Sequence, residues 1–376
     1  MMQMQKCKIL IDSYIMMKLA SLRNRWTHSF ERYSAQNEPR AQILLVGAGR
    51  MGQIRAKILH SNPRVDLCGV VDTAGKGGDL ASMYRIPEYQ SLKEACERQA
   101  RILDAVVVCT PTHSHSEVIL LAASYGLDTF VEKPVAESAS AIEDLYKRIS
   151  QYTHSTRSRP VALCCGFQRR FDPSYQAAMT SAAVGKPITA RIFFGDHPVP
   201  PIEFLLTGGD IFMDLAAHDV DYITHVWKEY RVESVFAVAS ASSPQLAGAG
   251  VQDHATVLLQ FEGGAVASLF LSRSSVYGYD QRCELFGTEG LVSIGNIPEH
   301  STTIHNKIGS HGALWQHSFP QRFEHAFANE LDALVDTVLL DEPWPVSLDQ
   351  CLYVQSIVDA AQRSASSGKV VRLTAR

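Results

Sequence analysis

The 376-residue chain lacks any apolar run that approaches the ~20 residues a membrane-spanning helix needs, so no membrane anchor of that kind is expected. It also lacks a basic excess: 35 Lys and Arg stand against 39 Asp and Glu, for a net charge of −4, and no long basic run occurs. Nucleic acid demands clustered cations, so it is not an expected partner. Eight cysteines are present, but no C-x-x-C pair and no H-E-x-x-H. The usual spacings of a metal-ligand set are therefore missing. Cys68, Cys109, Cys164 and Cys165 lie in apolar, strand-like runs, where a free thiol packs as a small hydrophobe. A reducing, cytoplasmic compartment without a disulfide framework is the expectation. There is no internal repeat and no low-complexity tract.

What is present suits two domains with sizeable cores. Residues 1–40 stand apart. They carry Lys6, Lys8, Lys18, Arg23, Arg25, Arg32 and Arg40 against Asp12, Glu31 and Glu38. Two readings stay open for them: an unstructured extension, or a basic, acid-poor transit segment for an organelle such as the mitochondrion.

Ordered structure is expected from about residue 41. An apolar run at 43–46 ends at Gly47 and reads as a buried parallel strand. A helix at 51–60, strands at 65–72 and 104–109, a helix at 116–125, and strands at 128–132 and 161–167 follow. Strands alternating with helices predict an α/β, doubly wound parallel sheet over 41–165. Residues 151–160 read as a surface loop. Beyond 166 the pattern becomes a series of strands at 188–196, 232–241, 254–261, 265–272, 281–286 and 291–294. Glu262-Gly263-Gly264 signals a hairpin. Helices are expected at 319–340 and 348–365. The second domain, 166–376, is thus predicted to be α+β with a large, mostly antiparallel open sheet.

Three local patterns carry chemistry. The first is Gly47-Ala48-Gly49-Arg50-Met51-Gly52, after a strand and opening a helix, with Asp72 at the end of the next strand. Such glycines allow a tight turn and close approach of backbone to a pyrophosphate, which the helix N-terminus then faces. The Asp72 carboxylate can accept both ribose hydroxyls of NAD and would repel the 2′-phosphate of NADP. Thr73-Ala74 offers no arginine for that phosphate, and Lys76 is the nearest cation in sequence. NAD is therefore expected over NADP, the alternative being a glycine turn that holds nothing.

The second pattern is Asp214, His218, Asp221 and His225, spaced 4, 3 and 4 apart along one helix stripe. Ala216, Val220, Ile223 and Trp227 occupy the opposite side, and Gly208-Gly209 just before allows a ligand to come close. Three readings stay open: a solvated face, a shared metal ion, or an acid/base dyad. In the last, His218 takes a hydroxyl proton and Asp214 orients the ring. The third pattern is Lys133 within Glu132-Lys133-Pro134, at the C-terminal end of a strand, where ligands bind in open α/β sheets. Pro134 should keep Lys133 extended. Its ammonium could stabilise a developing oxyanion, although a strand-end lysine is also an ordinary surface residue.

Together these patterns resemble the glucose–fructose oxidoreductase/inositol dehydrogenase/MocA family from about Gln42 to the C-terminus. Gly166-Phe167-Gln168-Arg169-Arg170-Phe171-Asp172-Pro173 and Tyr277-Gly278-Tyr279-Asp280-Gln281-Arg282 look most like its inositol 2-dehydrogenase branch. The resemblance implies a Rossmann domain, a C-terminal domain with a large open sheet, and assembly as a dimer or tetramer through that sheet. It implies that Lys133, Asp214 and His218 are catalytic. Arg169, Asp221, Tyr277 and Tyr279, with Lys133, Asp214 and His218, would meet the substrate. Gly47, Gly49, Arg50, Met51, Gly52, Asp72, Thr110, Pro111, His115, Glu132 and Lys133 would meet the cofactor. One stretch departs from the branch. Where its members carry a His-x-Asn-Pro-like segment, this chain has Gly195-Asp196-His197-Pro198. Asp196 or His197 is then the expected substrate contact, with Trp315 at the pocket border, and the particular inositol stays open.

The resulting expectation is an NAD-dependent oxidoreductase that converts a secondary hydroxyl of a cyclic polyol to a ketone. The alternatives are a sugar or dihydrodiol dehydrogenase, and a non-catalytic NAD-binding regulator.

Overall fold

The computed structural model describes residues 39–99, 102–179, 184–207 and 210–373. Residues 1–38 of the extension expected over 1–40, and Gly208-Gly209, lie outside the described residues.

The first sheet has six strands: Ala41–Val46 (β1), Val65–Val71 (β2), Glu88–Tyr89 (β3), Ala105–Val108 (β4), Asp128–Glu132 (β5) and Leu163–Gly166 (β6). Their order is β3-β2-β1-β4-β5-β6, and every pairing is parallel. The side chains of β4 are all fully buried, which explains its unbroken Ala-Val-Val-Val run: a sheet covered on both faces shows no alternation. Helices Arg50–Ser61 (α1), Gly77–Tyr84 (α2), Leu92–Gln99 (α3), His115–Ser124 (α4) and Ala139–Ile149 (α5) cover the sheet. The last begins where the Ser138 hydroxyl accepts from the Ala141 N–H at 3.2 Å. The sequence reading missed β3, α2, α3 and α5; the first three are too short for periodicity to mark them. The strand order reverses between β1 and β4, and the crevice beyond their C-terminal ends is the place where such sheets bind ligands.

The second sheet holds Pro187–Gly195 (β7), Val232–Ser240 (β8), His254–Phe261 (β9), Val266–Ser272 (β10), Asp280–Gly287 (β11), Gly290–Ile294 (β12) and Val371–Arg372 (β13). The order is β12-β11-β7-β10-β9-β8-β13. Only β7 and β10 run parallel, so the sheet is mostly antiparallel as expected. The β9–β10 hairpin turns at Gly263 and Gly264, whose φ values of 78° and 88° suit glycine. The parallel register sets Gly195 opposite Ser272, so Asp196 and Arg273 leave the sheet side by side. Ala217–Val226 (α6) and Leu348–Ser367 (α8) pack on this half. No helix among the described residues is long and apolar enough to cross a membrane.

The helix expected at 319–340 is broken into Phe319–Arg322 and Glu324–Leu340 (α7). The latter crosses back to the first sheet. Leu331, Leu334, Val335 and Val338 share one core with Ile43, Leu45, Val70 and Val107. A buried strut secures the crossing. Arg55 of α1 donates to Glu132 at 2.7 Å and to Glu330 of α7 at 2.6 Å, with its guanidinium 4.7 Å from the Phe130 ring and 4.8 Å from that of Phe327. Removing one member of such a pair strands a buried charge. Arg55→Met should therefore lower stability by about 3–5 kcal/mol in urea unfolding. A loss below about 1 kcal/mol, the range of exposed pairs, would mean that the strut is dispensable.

Candidate active site

The glycine turn divides its work. Gly47 has φ +98°, and a Cβ there would lie 2.8 Å from the carbonyl of Cys109 at the end of β4. A Cβ on Gly52 would lie 2.0 Å from the Gly47 oxygen. Gly49, between them, has nothing within 4 Å of its Cβ position. The outer glycines let the turn close on itself, and the middle one faces open space at the start of α1. That is room for a pyrophosphate beside free helix N–H groups. The Asp72 carboxylate accepts from the Ala48 N–H at 2.8 Å, from Ala74 at 2.9 Å and from Lys76 at 3.0 Å. Burial works against its charge, but these N–H groups outweigh burial and hold it below the usual carboxylate range. A fixed negative charge at the end of β2 suits NAD and opposes an added phosphate.

Around the turn, Arg50 is exposed, with its guanidinium 4.4 Å above the Phe319 ring, and Met51 is half-buried against the core. Thr110 is half-buried and Pro111 exposed just past β4. Two residues expected at the cofactor are committed to the protein instead. His115 is buried, with Nδ1 2.9 Å from the Pro134 carbonyl and Nε2 2.9 Å from that of Thr110. It fastens the Lys133 loop to the Thr110 loop. Glu132 turns back to accept from Arg55. The Lys133–Pro134 peptide bond is cis, a detail that the sequence did not predict.

Lys133 reaches the helix that carries Asp214 and His218. Its Nζ donates to Asp214 Oδ1 at 2.6 Å and to the Asp214 carbonyl at 2.8 Å. The other carboxylate oxygen accepts from Arg273 at 2.5 Å. Here the helix makes a single π turn, Phe212–Ala216, a distortion frequent at functional sites. Asp210 caps it, its Oδ1 accepting from the N–H groups of Phe212 at 2.8 Å and Met213 at 3.0 Å. Partial desolvation opposes the charge on Asp214, but Lys133 and Arg273 overcome this and drive its carboxyl far below the usual range. No hydrogen bond joins Asp214 to His218 among the described residues; the Asp214 oxygens are turned to Lys133 and Arg273. The dyad read from spacing is thus a Lys133–Asp214–Arg273 cluster with His218 beside it. His218 Nδ1 is buried and has no hydrogen-bond partner among the described residues. Burial, then the cations of Lys133 and Arg169, push the imidazole well below its ordinary value against the pull of Asp214. The ring is therefore neutral and can accept a proton.

The residues expected to meet substrate fall into two groups. Asp196 is half-buried, and burial raises its carboxyl to about 6 despite the opposing charge of Arg273. His197 Nδ1 lies 2.7 Å from the Ser275 carbonyl, and the ring packs edge-on to His317. Tyr279 is buried against Phe194 and Phe323. Tyr277 is half exposed, its hydroxyl donating to Asp280 at 2.7 Å. The half-exposed Trp315 lies against Gly278, between the two tyrosines. Arg169 is buried and donates to Asp219 and, at 2.8 Å, to Gln281, while its Nε has no partner among the described residues. Asp221 is fully buried, and Arg170 donates to both its oxygens at 2.8 and 2.6 Å. It serves as a structural ion pair, so we leave it out of the substrate set. The stripe predicted from spacing is real for Asp214 and His218, but packing has turned its lower half inward.

Residues 41–155 match the model of the oxidoreductase family with the NAD-binding Rossmann fold, and residues 175–293 match the GFO/IDH/MocA C-terminal domain. The chain belongs to the GFO/IDH/MocA oxidoreductase family. Myo-inositol 2-dehydrogenase from Thermotoga maritima is 29% identical over 341 residues, covering 88% of this chain and 98% of that one. The scyllo-inositol 2-dehydrogenase (NAD(+)) of Bacillus subtilis is 31% identical, covering 80% and 87%. Scyllo-inositol dehydrogenase from Lactobacillus casei, with NAD(H) and scyllo-inositol bound, superimposes with a TM-score of 0.80 at 26% identity, covering 89% and 99%.

In this GFO/IDH/MocA chain the sequence reading missed Arg273, Asp219 and Gln281. An arginine closing an apolar strand was the available signal for Arg273. The glycine geometry makes a sharp contrast testable. Gly49→Val should leave the melting temperature within about 2 °C and weaken NAD binding roughly tenfold or more in calorimetric titration. Gly52→Ala should lose the folded first domain, since its Cβ meets backbone. Equal effects of the two on melting would contradict this division.

Proposed function

We propose that the protein oxidises a secondary hydroxyl of an inositol, or of a closely related cyclic polyol, to a ketone with NAD as the oxidant. The observation that carries this is the meeting of Lys133, Asp214 and a neutral His218, whose Nδ1 has no hydrogen-bond partner among the described residues, at the strand end beside the glycine turn. Relatives named inositol 2-dehydrogenases support the substrate class.

Bound NAD would supply the hydride acceptor, the nicotinamide C4. His218 takes the hydroxyl proton as the carbon gives up its hydride. Lys133 opposes the negative charge that grows on the oxygen. Asp214 holds the ammonium in position and stays ionised while doing so. Tyr279, Asp196 and Arg169 surround the remaining hydroxyls of the ring. A site built to pair with hydroxyls discriminates against analogues that lack them. The test is absorbance of reduced nicotinamide with NAD or NADP and a panel of inositols and aldoses. Growth with NAD and an inositol is expected, and silence across the inositols with NAD bound would sink the proposal. Lys133→Ala and His218→Ala should each lower kcat by about 10²–10⁴-fold. NAD affinity should stay near that of the parent protein.

The open face of the second sheet supports assembly into a homo-oligomer. Phe193 and Phe270 stack there at 4.3 Å, flanked by exposed Val238, Leu258 and Leu291. Exposed apolar side chains gathered on one sheet face, with Arg191, Arg282 and Glu284 among them, suit a protein interface. The seven described cysteines are free and five are buried, which suits a cytoplasmic setting. Leu258→Glu combined with Phe270→Glu should give a monomer in sedimentation velocity, and an unchanged particle size would argue against assembly through this face.

A further inference from the structure

We propose that Arg273 is a positioning residue of this site: it holds the Asp214 carboxylate turned toward Lys133 and ties it electrostatically to Asp196. The sequence patterns gave it no role. Its side chain is only 2% exposed, yet it ends at the carboxylate that Lys133 also uses, 2.5 Å from Oδ2. The end of β10 packs against the Phe212–Ala216 turn that carries Asp214, and the parallel register of β7 and β10 sets Asp196 beside it. Ser272 lies opposite Gly195, the Asp196 N–H donates to the Ser272 carbonyl at 2.8 Å, and the Ser275 N–H donates to the Asp196 carbonyl at 2.9 Å. Arg273 and Asp196 are thus neighbours by backbone pairing.

The charges around these groups are few and can be named. Asp214 is faced by Lys133 from the end of β5 and by Arg273 from the end of β10. Asp196 is faced by Arg273, by Asp214, by Arg50 of α1 and by the Tyr279 phenol, with His197 next in the chain. His218 is faced by Lys133, Arg169 and Asp214. Without Arg273, Asp214 would have one oxygen free to turn toward His218, and Asp196 would face Asp214 with its main compensating cation gone. The contact to Asp214 runs through Nη1 at the end of the side chain, and a lysine is shorter, so it would not reach as far.

The kinetic half of this inference rests on the dehydrogenase reading, but the electrostatic half does not. The experiment titrates the Asp196 carboxyl by carbon-13 NMR, assigned with Asp196→Asn, in the parent protein and in Arg273→Gln. The midpoint should lie at about 6 in the parent and rise in the variant, roughly by half a unit or more. In turnover assays Arg273→Gln should lower kcat about tenfold or more, with the acid limb of kcat/KM moved upward and NAD affinity near the parental value. An unshifted Asp196 titration together with parental kcat in folded Arg273→Gln overturns the proposal. If Arg273→Gln does not fold, Arg273→Lys decides by the same titration and kcat. Smaller shifts in the same directions support the role, and parental values in both refute it. A parent protein that oxidises no inositol, yet shows the Asp196 shift on substitution, would end the dehydrogenase reading and leave the Arg273 pairing standing.

Discussion

One carboxylate ties the two halves of this molecule together. Asp214 receives Lys133 from the end of β5 in the first sheet and Arg273 from the end of β10 in the second. A lone aspartate in that crevice would bear a desolvation cost with nothing to offset it. Two cations offset that cost. Charge therefore joins the halves at the mouth of the crevice, where no strand pairing between the sheets is found among the described residues. Further ties lie behind it, in the Arg55 strut, the apolar face of α7 and a core that runs from Val131 and Val135 to Ala217 and Val354. Those fix the distance between the sheets, and the Asp214 cluster fixes which side chains meet at the mouth.

Much of this was legible in the sequence, for reasons that differ by element. The buried strands β1, β4 and β5 announce themselves because a covered parallel sheet needs continuous apolar runs. The glycine turn is legible because no other residue fits at Gly47 and Gly52, where a Cβ would strike backbone. Lys133, Asp214 and His218 are legible because strand ends and helix spacing fix their direction before any tertiary contact is known. The family relationship then drew the fold and the cofactor from the same residues.

What stayed hidden was the choice of partners. Arg169 and Arg170 are adjacent, and nothing local says that one takes Asp219 and the other Asp221. His115 and Glu132 sit in segments that border the cofactor site, but their side chains are claimed by carbonyls and by Arg55. Arg273 is 59 positions from Asp214. Their meeting depends on the packing of β10 against the Phe212–Ala216 turn, which periodicity does not encode. The π turn at Phe212–Ala216 is equally invisible, because it changes the helix by one residue while leaving Asp214 and His218 on a common side.

The charge pattern of the crevice fits the proposed chemistry in a specific way. Lys133 and Arg169 are the cations that act on a neutral His218, Arg273 faces Asp214 and Asp196, and Asp219 faces Arg169. A polyol is uncharged when it binds, so Lys133 does little for the ground state. It acts when the hydroxyl oxygen begins to lose its proton and becomes negative. Interactions that strengthen only at that point raise the rate without merely tightening substrate binding. Burial and the cations of Lys133 and Arg169 keep His218 unprotonated until then, and the Asp214 carboxylate is the neighbour that favours its taking the proton. Burial alone would also depress the imidazole, but it would leave the departing proton's oxygen unsupported. Lys133 does both, and Asp214 is what keeps it at the distance where both effects operate.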